Sequence, residues 1–336
     1  MAKKARVAKP QSEGRDKNGA RSSESDTKKA ISLAKAQSEE ILAFRARQRR
    51  QRAAAIKRTE VVRNRAAASL RPIPAGTRRL LGPARSNGTL IAEGDSWFDY
   101  PMNDVLQLLE DHHGFEVESV SHRGDRVEDM AYSAGQLEEF ARRLEKLLRN
   151  GTVPRAILLS GGGNDIAGIE FAQLLNHSDS AIRGLNQDIV RGVIEQRIRD
   201  AYVHIIAAVT SVCQAYLGQA IPILTHGYGY PIPDGRGFLG GWWLLPGPWL
   251  APGFRQKAYS DRAENAVMMR ALIDRFNLML ENVTAIPEFS HVRYVNLRDL
   301  LVHPSDYKSL WANELHPTKR GFSMVAERFS SIITPL

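Results

Sequence analysis

The stretch Leu90-Ile91-Ala92-Glu93-Gly94-Asp95-Ser96-Trp97 decides the reading of this chain: a short apolar run breaks at a glycine and presents a serine. Such a run, bounded by turn chemistry, fits a strand buried on both faces. The glycine permits a sharp bend, so Ser96 is delivered at the sheet edge above a following helix. An alcohol in that position is well placed for nucleophilic attack, and adjacent N–H groups can hold an oxyanion. Taken alone, Asp95-Ser96 reads equally well as a helix N-cap.

Working outward, further short apolar runs alternate with helical periods. The expected strands are Thr89–Ala92, Phe115–Val120, Ala156–Leu159, Ile221–Leu224 and Val292–Asn296. Between and after them the helical stretches are Asn103–His112, Ala134–Arg149, Asp188–Tyr216, Arg262–Asn282 and Lys319–Ile333. Gln136–Leu148 has the clearest amphipathic spacing, with Leu137, Phe140, Leu144, Leu147 and Leu148 on one side. Alternation of this kind predicts a mostly parallel sheet covered on both faces, with its ligand crevice beyond the strands' C-terminal ends.

Two other motifs fall beside that crevice. Ile157-Leu158-Leu159-Ser160-Gly161-Gly162-Gly163-Asn164-Asp165 is an apolar strand running into a glycine-rich turn, whose Asn164 amide can donate to a developing oxyanion. No Gly-Lys-Ser/Thr follows, which excludes a P-loop. The alternative is an ordinary loop in which Asn164 bonds its own backbone. Asn313-Glu314-Leu315-His316-Pro317 lies shortly before the last helix. A histidine beside Ser96 would serve as general base and then as general acid to the leaving group.

Together, Gly94-Asp95-Ser96-Trp97, Gly124, Gly162-Gly163-Asn164-Asp165 and His316-Pro317 resemble the ordered blocks of the SGNH (GDSL-like) hydrolases, across roughly residues 89–336. The resemblance implies a three-layer α/β/α sandwich with a flavodoxin-like, mostly parallel five-stranded sheet. It also implies Ser96 as nucleophile, His316 as base, and an oxyanion hole from the Ser96 N–H, the Gly124 N–H and the Asn164 side chain. No metal or cofactor is implied. One position departs from the pattern: the aspartate expected three residues before the histidine is Asn313. An amide can accept from an imidazole N–H but supplies no charge to stabilise imidazolium. Three arrangements fit. Asn313 orients His316, which is the arrangement expected, or a carboxylate such as Glu314 or Asp306 substitutes, or a backbone carbonyl holds the ring in a Ser-His dyad.

Charge is distributed unevenly. Residues 1–90 hold 23 Lys+Arg against 7 Asp+Glu, and the remainder 23 against 30, so a cationic arm precedes a mildly acidic body. Residues 1–26 have almost no large apolar side chains and are expected to be a disordered basic tail. Residues 27–88 read as a basic helical arm, solvated or partner-dependent, closed by a linker at Arg71-Pro-Ile-Pro-Ala-Gly. Its apolar residues are too sparse for a heptad seam. The cluster Arg45, Arg47, Arg49, Arg50, Arg52, Lys57 and Arg58 is a candidate contact for a polyanion. The single cysteine, Cys213, excludes an intrachain disulfide and reads as a buried thiol. Neither a signal-peptide pattern nor a run long enough to span a membrane is present, so a soluble cytoplasmic protein is expected, with specialised export as the alternative.

Between residues 225 and 260 the chain is dense in Gly and Pro and carries Trp242, Trp243 and Trp249. A long loop inside a compact domain is usually a lid or binding loop. Trp242, Trp243, Trp249 and Tyr228 are therefore candidate substrate contacts, with a structural plug or subunit interface as the alternative. The activity expected is ester hydrolysis through an acyl-enzyme on a small-molecule, carbohydrate or lipid ester. The competing reading is a non-catalytic binding or scaffold protein with this fold and a polyanion-binding arm.

Overall fold

The structure is a computed structural model describing residues 16–67, 86–133, 135–240, 245–302 and 306–336. The elements in order are α1 (Asp16–Ala67), β1 (Thr89–Glu93), α2 (Val105–His113), β2 (Glu116–Ser119), α3 (Val127–Tyr132), α4 (Gln136–Arg149), β3 (Ala156–Leu159) and α5 (Gly163–Ile166). They continue with α6 (Gln187–Val190), a π-helical turn leading into α7 (Arg199–Leu217), then β4 (Ile223–His226), α8 (Ala251–Gln256), α9 (Arg262–Thr284), β5 (Val292–Val295) and α10 (Lys319–Ile333). The five strands form one parallel sheet in the order β2-β1-β3-β4-β5. This is the flavodoxin-like order, with its switch point between β1 and β3. Right-handed crossovers put α2 and α10 together on one face and α4, α7 and α9 on the other, giving the expected three-layer sandwich.

Burial follows from strand position. In the central strands β1 and β3 nearly every side chain is buried, including Leu90, Ile91, Ala156 and Ile157. Each large apolar side chain sealed in this way contributes about 1.5–3 kcal/mol. The edge strand β2 instead exposes Glu116 and Ser119, and the apolar residues that signalled it, Phe115 and Val120, are buried at its two ends. Charged and polar residues on an edge discourage pairing with another chain. β4 lies two residues later than its apolar run suggests, because Pro222 offers only its carbonyl to the ladder, bonding the Ile157 N–H at 2.9 Å. Cys213 is buried, as expected.

The arm is where the sequence reading fails. Helix is assigned from Asp16, within the stretch to residue 26 that the sequence reads as a disordered tail. Residues 1–15 and the Arg71–Gly76 linker lie outside the described residues. Nor is α1 solvated along its length, since it packs on α7 and α4. Thr27, Ile31, Ala34, Ser38 and Ile41 are buried at alternating steps of four and three, which is a heptad seam. It is hard to see in the sequence because three of its five members are small or hydroxylic. Small residues let the two helices close, and Ser38 Oγ donates to Ala34 O (2.8 Å) and Ala208 O (3.2 Å). Further along, Arg45 Nε and Arg49 Nη1 bond the buried Glu145 carboxylate at 2.8 and 2.6 Å. Burial alone would raise the Glu145 carboxyl, but bonds from Arg45 and Tyr216 and the two arginine charges hold it below its ordinary value. Two cations of the expected polyanion cluster are thereby turned inward, while Arg47 and Arg50 are exposed.

Candidate active site

Ser96 follows β1 and the Gly161–Asn164 turn follows β3, so the switch point brings together two motifs far apart in sequence. Close approach dictates glycine at both. A Cβ on Gly94 would lie 2.7 Å from Ser160 Cβ, and one on Gly162, held at φ 98°, would lie 2.4 Å from the Phe276 ring. The chain can therefore turn tightly at both strand ends and leave a crevice between them.

Ser96 is half-buried, and its Oγ lies 2.7 Å from His316 Nε2. His316 Nδ1 lies 3.0 Å from Asn313 Oδ1. That oxygen also accepts from the backbone N–H groups of Leu315 and His316, both at 2.9 Å. Three donors converge on an amide oxygen that has two lone pairs. The Asn313 amide nitrogen in turn donates to Tyr100 Oη at 3.1 Å. Tyr100 stacks on the imidazole, with centroids 4.2 Å apart and planes at 24°. Burial pushes the His316 ring down to about 3, so it is neutral at physiological pH and both of its nitrogen roles are set by the neighbours. Trp97 couples the two loops directly by donating its indole N–H to Leu315 O at 3.1 Å.

Among the three arrangements open to the sequence, the one present is Asn313 against the ring. Glu314 points the other way. Its carboxylate is completely buried and accepts backbone N–H groups from Gly235 (2.9 Å), Trp249 (2.7 Å), Leu250 (2.7 Å) and Ala251 (3.1 Å). Burial raises this carboxyl above its ordinary value, against the pull of those four bonds. Glu314 is thus a strut that fastens the 231–251 loop to the histidine loop at the start of α8. Asp306 caps the short turn Tyr307–Ser309, and its carbonyl accepts from Ser309 Oγ at 2.8 Å.

Asn164 lines the same cavity as Ser96 and donates one amide hydrogen to Asp125 O at 2.9 Å. Gly124, at φ 91°, sits on an exposed turn and is not among the residues lining the cavity. Trp249 is half-buried and meets His316 edge to face at 5.6 Å, so the aromatic loop does reach the histidine. Trp242 and Trp243 lie outside the described residues. Tyr228 walls the cavity, but its hydroxyl is already committed, donating to Asp95 Oδ2 (2.6 Å) and accepting from Gly163 N (3.2 Å).

That last contact belongs to a buried network that the sequence reading missed. Asp95 Oδ1 accepts from Trp97 N (3.0 Å) and Ser160 Oγ (2.7 Å), and His226 Nε2 lies 2.8 Å from the same Ser160 Oγ. His226 Nδ1 faces the Gly227 carbonyl at 2.7 Å. Burial lowers the His226 ring and raises the Tyr228 hydroxyl. The network ties the Ser96 turn to the Gly163 turn through side chains on β1, β3 and β4. Its only sequence signal is that Asp95, Ser160 and His226 each sit at or just past the C-terminal end of a strand.

No family model matches the chain, and no curated protein matches it. Several solved structures are similar to it in fold. One is an acetylxylan esterase from Geobacillus stearothermophilus, at 15% sequence identity over 74% of this chain and 94% of that one, with a TM-score of 0.40. Another is an aryl esterase from M. smegmatis, at 13% identity over 74% and 99%, with a TM-score of 0.42. A third is a carbohydrate acetylesterase from Sinorhizobium meliloti, at 10% identity over 74% and 99%, with a TM-score of 0.41.

Proposed function

We propose that this chain is a serine ester hydrolase of the SGNH type, acting through an acyl-enzyme on Ser96. The observation that carries the reading is the 2.7 Å approach of Ser96 Oγ to His316 Nε2 at the mouth of a cavity that Asn164 also lines. Ser96 Oγ attacks the ester carbonyl carbon while His316 Nε2 takes its proton. The Ser96 N–H and the Asn164 amide are the donors for the resulting oxyanion; Gly124, which the sequence offered as a third, does not line the cavity. The bond to the alcohol then breaks, and His316 passes the proton to the leaving oxygen. Water repeats the sequence in reverse: it gives a proton to His316 and its oxygen to the acyl carbon, the bond to Ser96 breaks, and the acid departs as Ser96 recovers its proton.

Asn313 orients the imidazole through Nδ1 but adds no charge. In serine proteases, loss of the corresponding carboxylate lowers turnover by about four orders of magnitude. The same absence favours the second reading, a non-catalytic binding protein on a hydrolase fold. A fluorophosphonate probe with peptide mapping separates the two. Labelling of Ser96 that disappears in His316→Ala is the expected result. Folded protein that resists the probe from pH 5 to pH 9 would establish the binding protein instead.

A further inference from the structure

We infer that the ester carries a short acyl group, acetyl or propionyl, and that the bulk of the substrate lies in its alcohol; this rests on the reading of Ser96 as nucleophile. The cavity beside Ser96 has a volume of about 40 Å³. At roughly 10–15 Å³ for each water-sized group, it has room for about three or four such groups. An acetyl or propionyl group fills that space, and a hexanoyl chain does not. Away from Ser96 and Asn164 the walls are mainly apolar, formed by Ile166, Ala167, Leu250, Met269 and Ile273. Asp95 and Tyr228 also line it, but they bond each other.

Met269 and Ile273 lie one turn apart on α9 and form one wall of the cavity, exposed by only 2% and 3%. That wall has little freedom to retreat. Asn277 Nδ2 bonds Tyr228 O at 3.2 Å and Tyr230 Oη bonds Asp274 at 2.6 Å, pinning α9 to the loop that forms the opposite side. A longer chain must therefore force apart a packed core rather than push aside a flexible loop.

The alcohol half meets a different environment. His316 must reach the leaving oxygen, so the alcohol departs on the histidine side. There the surface is aromatic and open: Tyr100 covers the imidazole, Trp249 meets its edge, and Phe238 packs on Tyr100 at 5.8 Å. Two residues after Tyr100 and one after Phe238 come Met102 and Leu239, 71% and 67% exposed and both in the left-handed backbone region, at φ 75° and 48°. Non-glycine residues adopt that region at a cost, and such positions cluster at ligand sites. A small cavity with packed apolar walls beside Ser96, and the aromatic rings around His316, place the size limit on the acyl group.

The test is kcat/KM of the full chain over p-nitrophenyl acetate, propionate, butyrate, hexanoate and octanoate, with Ser96→Ala as the control. The expected result is a maximum at acetate or propionate and a fall of about tenfold or more by hexanoate. Met269→Ala should shift the maximum towards butyrate or hexanoate, and the milder Ile273→Val should shift it in the same direction. Ser96-dependent turnover that is greatest with hexanoate or octanoate overturns the short-acyl assignment and leaves the hydrolase intact. A folded Met269→Ala with an unchanged profile overturns the role of α9 as the acyl wall. Folded protein with no Ser96-dependent turnover of any ester, acetate included, overturns the hydrolase reading itself.

Discussion

Two serine–histidine pairs stand at the same edge of one sheet, with nearly equal separations and opposite surroundings. Ser96 lies 2.7 Å from His316, and Ser160 lies 2.8 Å from His226. The Ser160 pair has a carboxylate at its hydroxyl, Asp95 Oδ1 at 2.7 Å, and only the Gly227 carbonyl behind its histidine, and serine and histidine are both sealed in the core. The Ser96 pair has access to the cavity and only an amide behind its histidine. Geometry at the hydroxyl thus does not distinguish a nucleophile from a structural hydrogen bond. Exposure and donors for an oxyanion do. The buried pair spends its polar groups on holding two turns together, and the accessible pair sits on one of those turns.

The largest expected effect breaks the pairs apart. Ser96→Ala or His316→Ala should lower ester kcat by about 10⁴-fold or more. Ser160→Ala should leave Ser96 reactive to the fluorophosphonate while lowering stability by about 1–3 kcal/mol, because Asp95 loses a buried donor. Rates, together with chemical denaturation, read both outcomes, and equal losses of labelling in Ser160→Ala and Ser96→Ala would erase the distinction.

Asn313→Asp gives the accessible pair a carboxylate behind its histidine, which neither pair has. Three donors already meet Asn313 Oδ1, so a carboxylate fits without rearrangement once Tyr100 turns its hydroxyl to donate. We expect kcat at pH 8 to rise by about tenfold or more. The direction with pH follows from the base, which works only when neutral. Wild-type His316 sits near 3, so activity should persist well below pH 6. A carboxylate stabilises the imidazolium and raises that value, so the acid limb of the variant moves to higher pH. A pH–rate profile with an unmoved limb would show that the Asn313 contact does not govern the ring.

Asp95→Asn sharpens the comparison from the other side. It weakens the acceptor shared by Trp97 N, Ser160 and Tyr228, and Asp95, Trp97 and Tyr228 all line the cavity. A stability loss of about 1–3 kcal/mol is expected. With it should come a fall in kcat/KM, because the Ser96 turn and the Tyr228 wall are both held by this carboxylate.

The last effect is one of pH and concerns Glu93, the residue before the Gly94 turn. It is buried, its Oε1 has no hydrogen-bond partner among the described residues, and burial pushes its carboxyl up to about 9. The folded protein therefore keeps a proton that the unfolded chain releases above about pH 4.5, so stability falls as pH rises from there towards 9. Glu93→Gln removes that titration. Its Tm should exceed wild type at pH 8 and match it at pH 4, as scanning calorimetry would show.

Much of the architecture is legible in the residues themselves. Hydrophobic period and turn glycines are local properties, so the sheet, its layers and the strand ends bearing Ser96 and Asn164 can be read in order. The errors arise where partners are remote. The seam of α1 is written in Thr27, Ala34 and Ser38, whose burial depends on α7 some 170 residues away, as the Ser38–Ala208 bond shows. Composition reports such residues as polar or neutral, and the arm looked solvated.

The histidine loop marks the same boundary at the site. The sequence alone determined that a serine, a glycine-rich turn with an amide and a histidine follow successive structural elements, because each is set by local turn chemistry. It favoured Asn313 as the residue that orients His316 but left Glu314, Asp306 and a backbone carbonyl open, since all lie within reach of the ring along the chain. Only the tertiary structure decided between them: the 231–251 loop claims Glu314 with four backbone N–H groups, and Tyr100, packed over the imidazole, engages Asn313. A buried carboxylate goes where the most donors converge, and where they converge is a property of the folded chain.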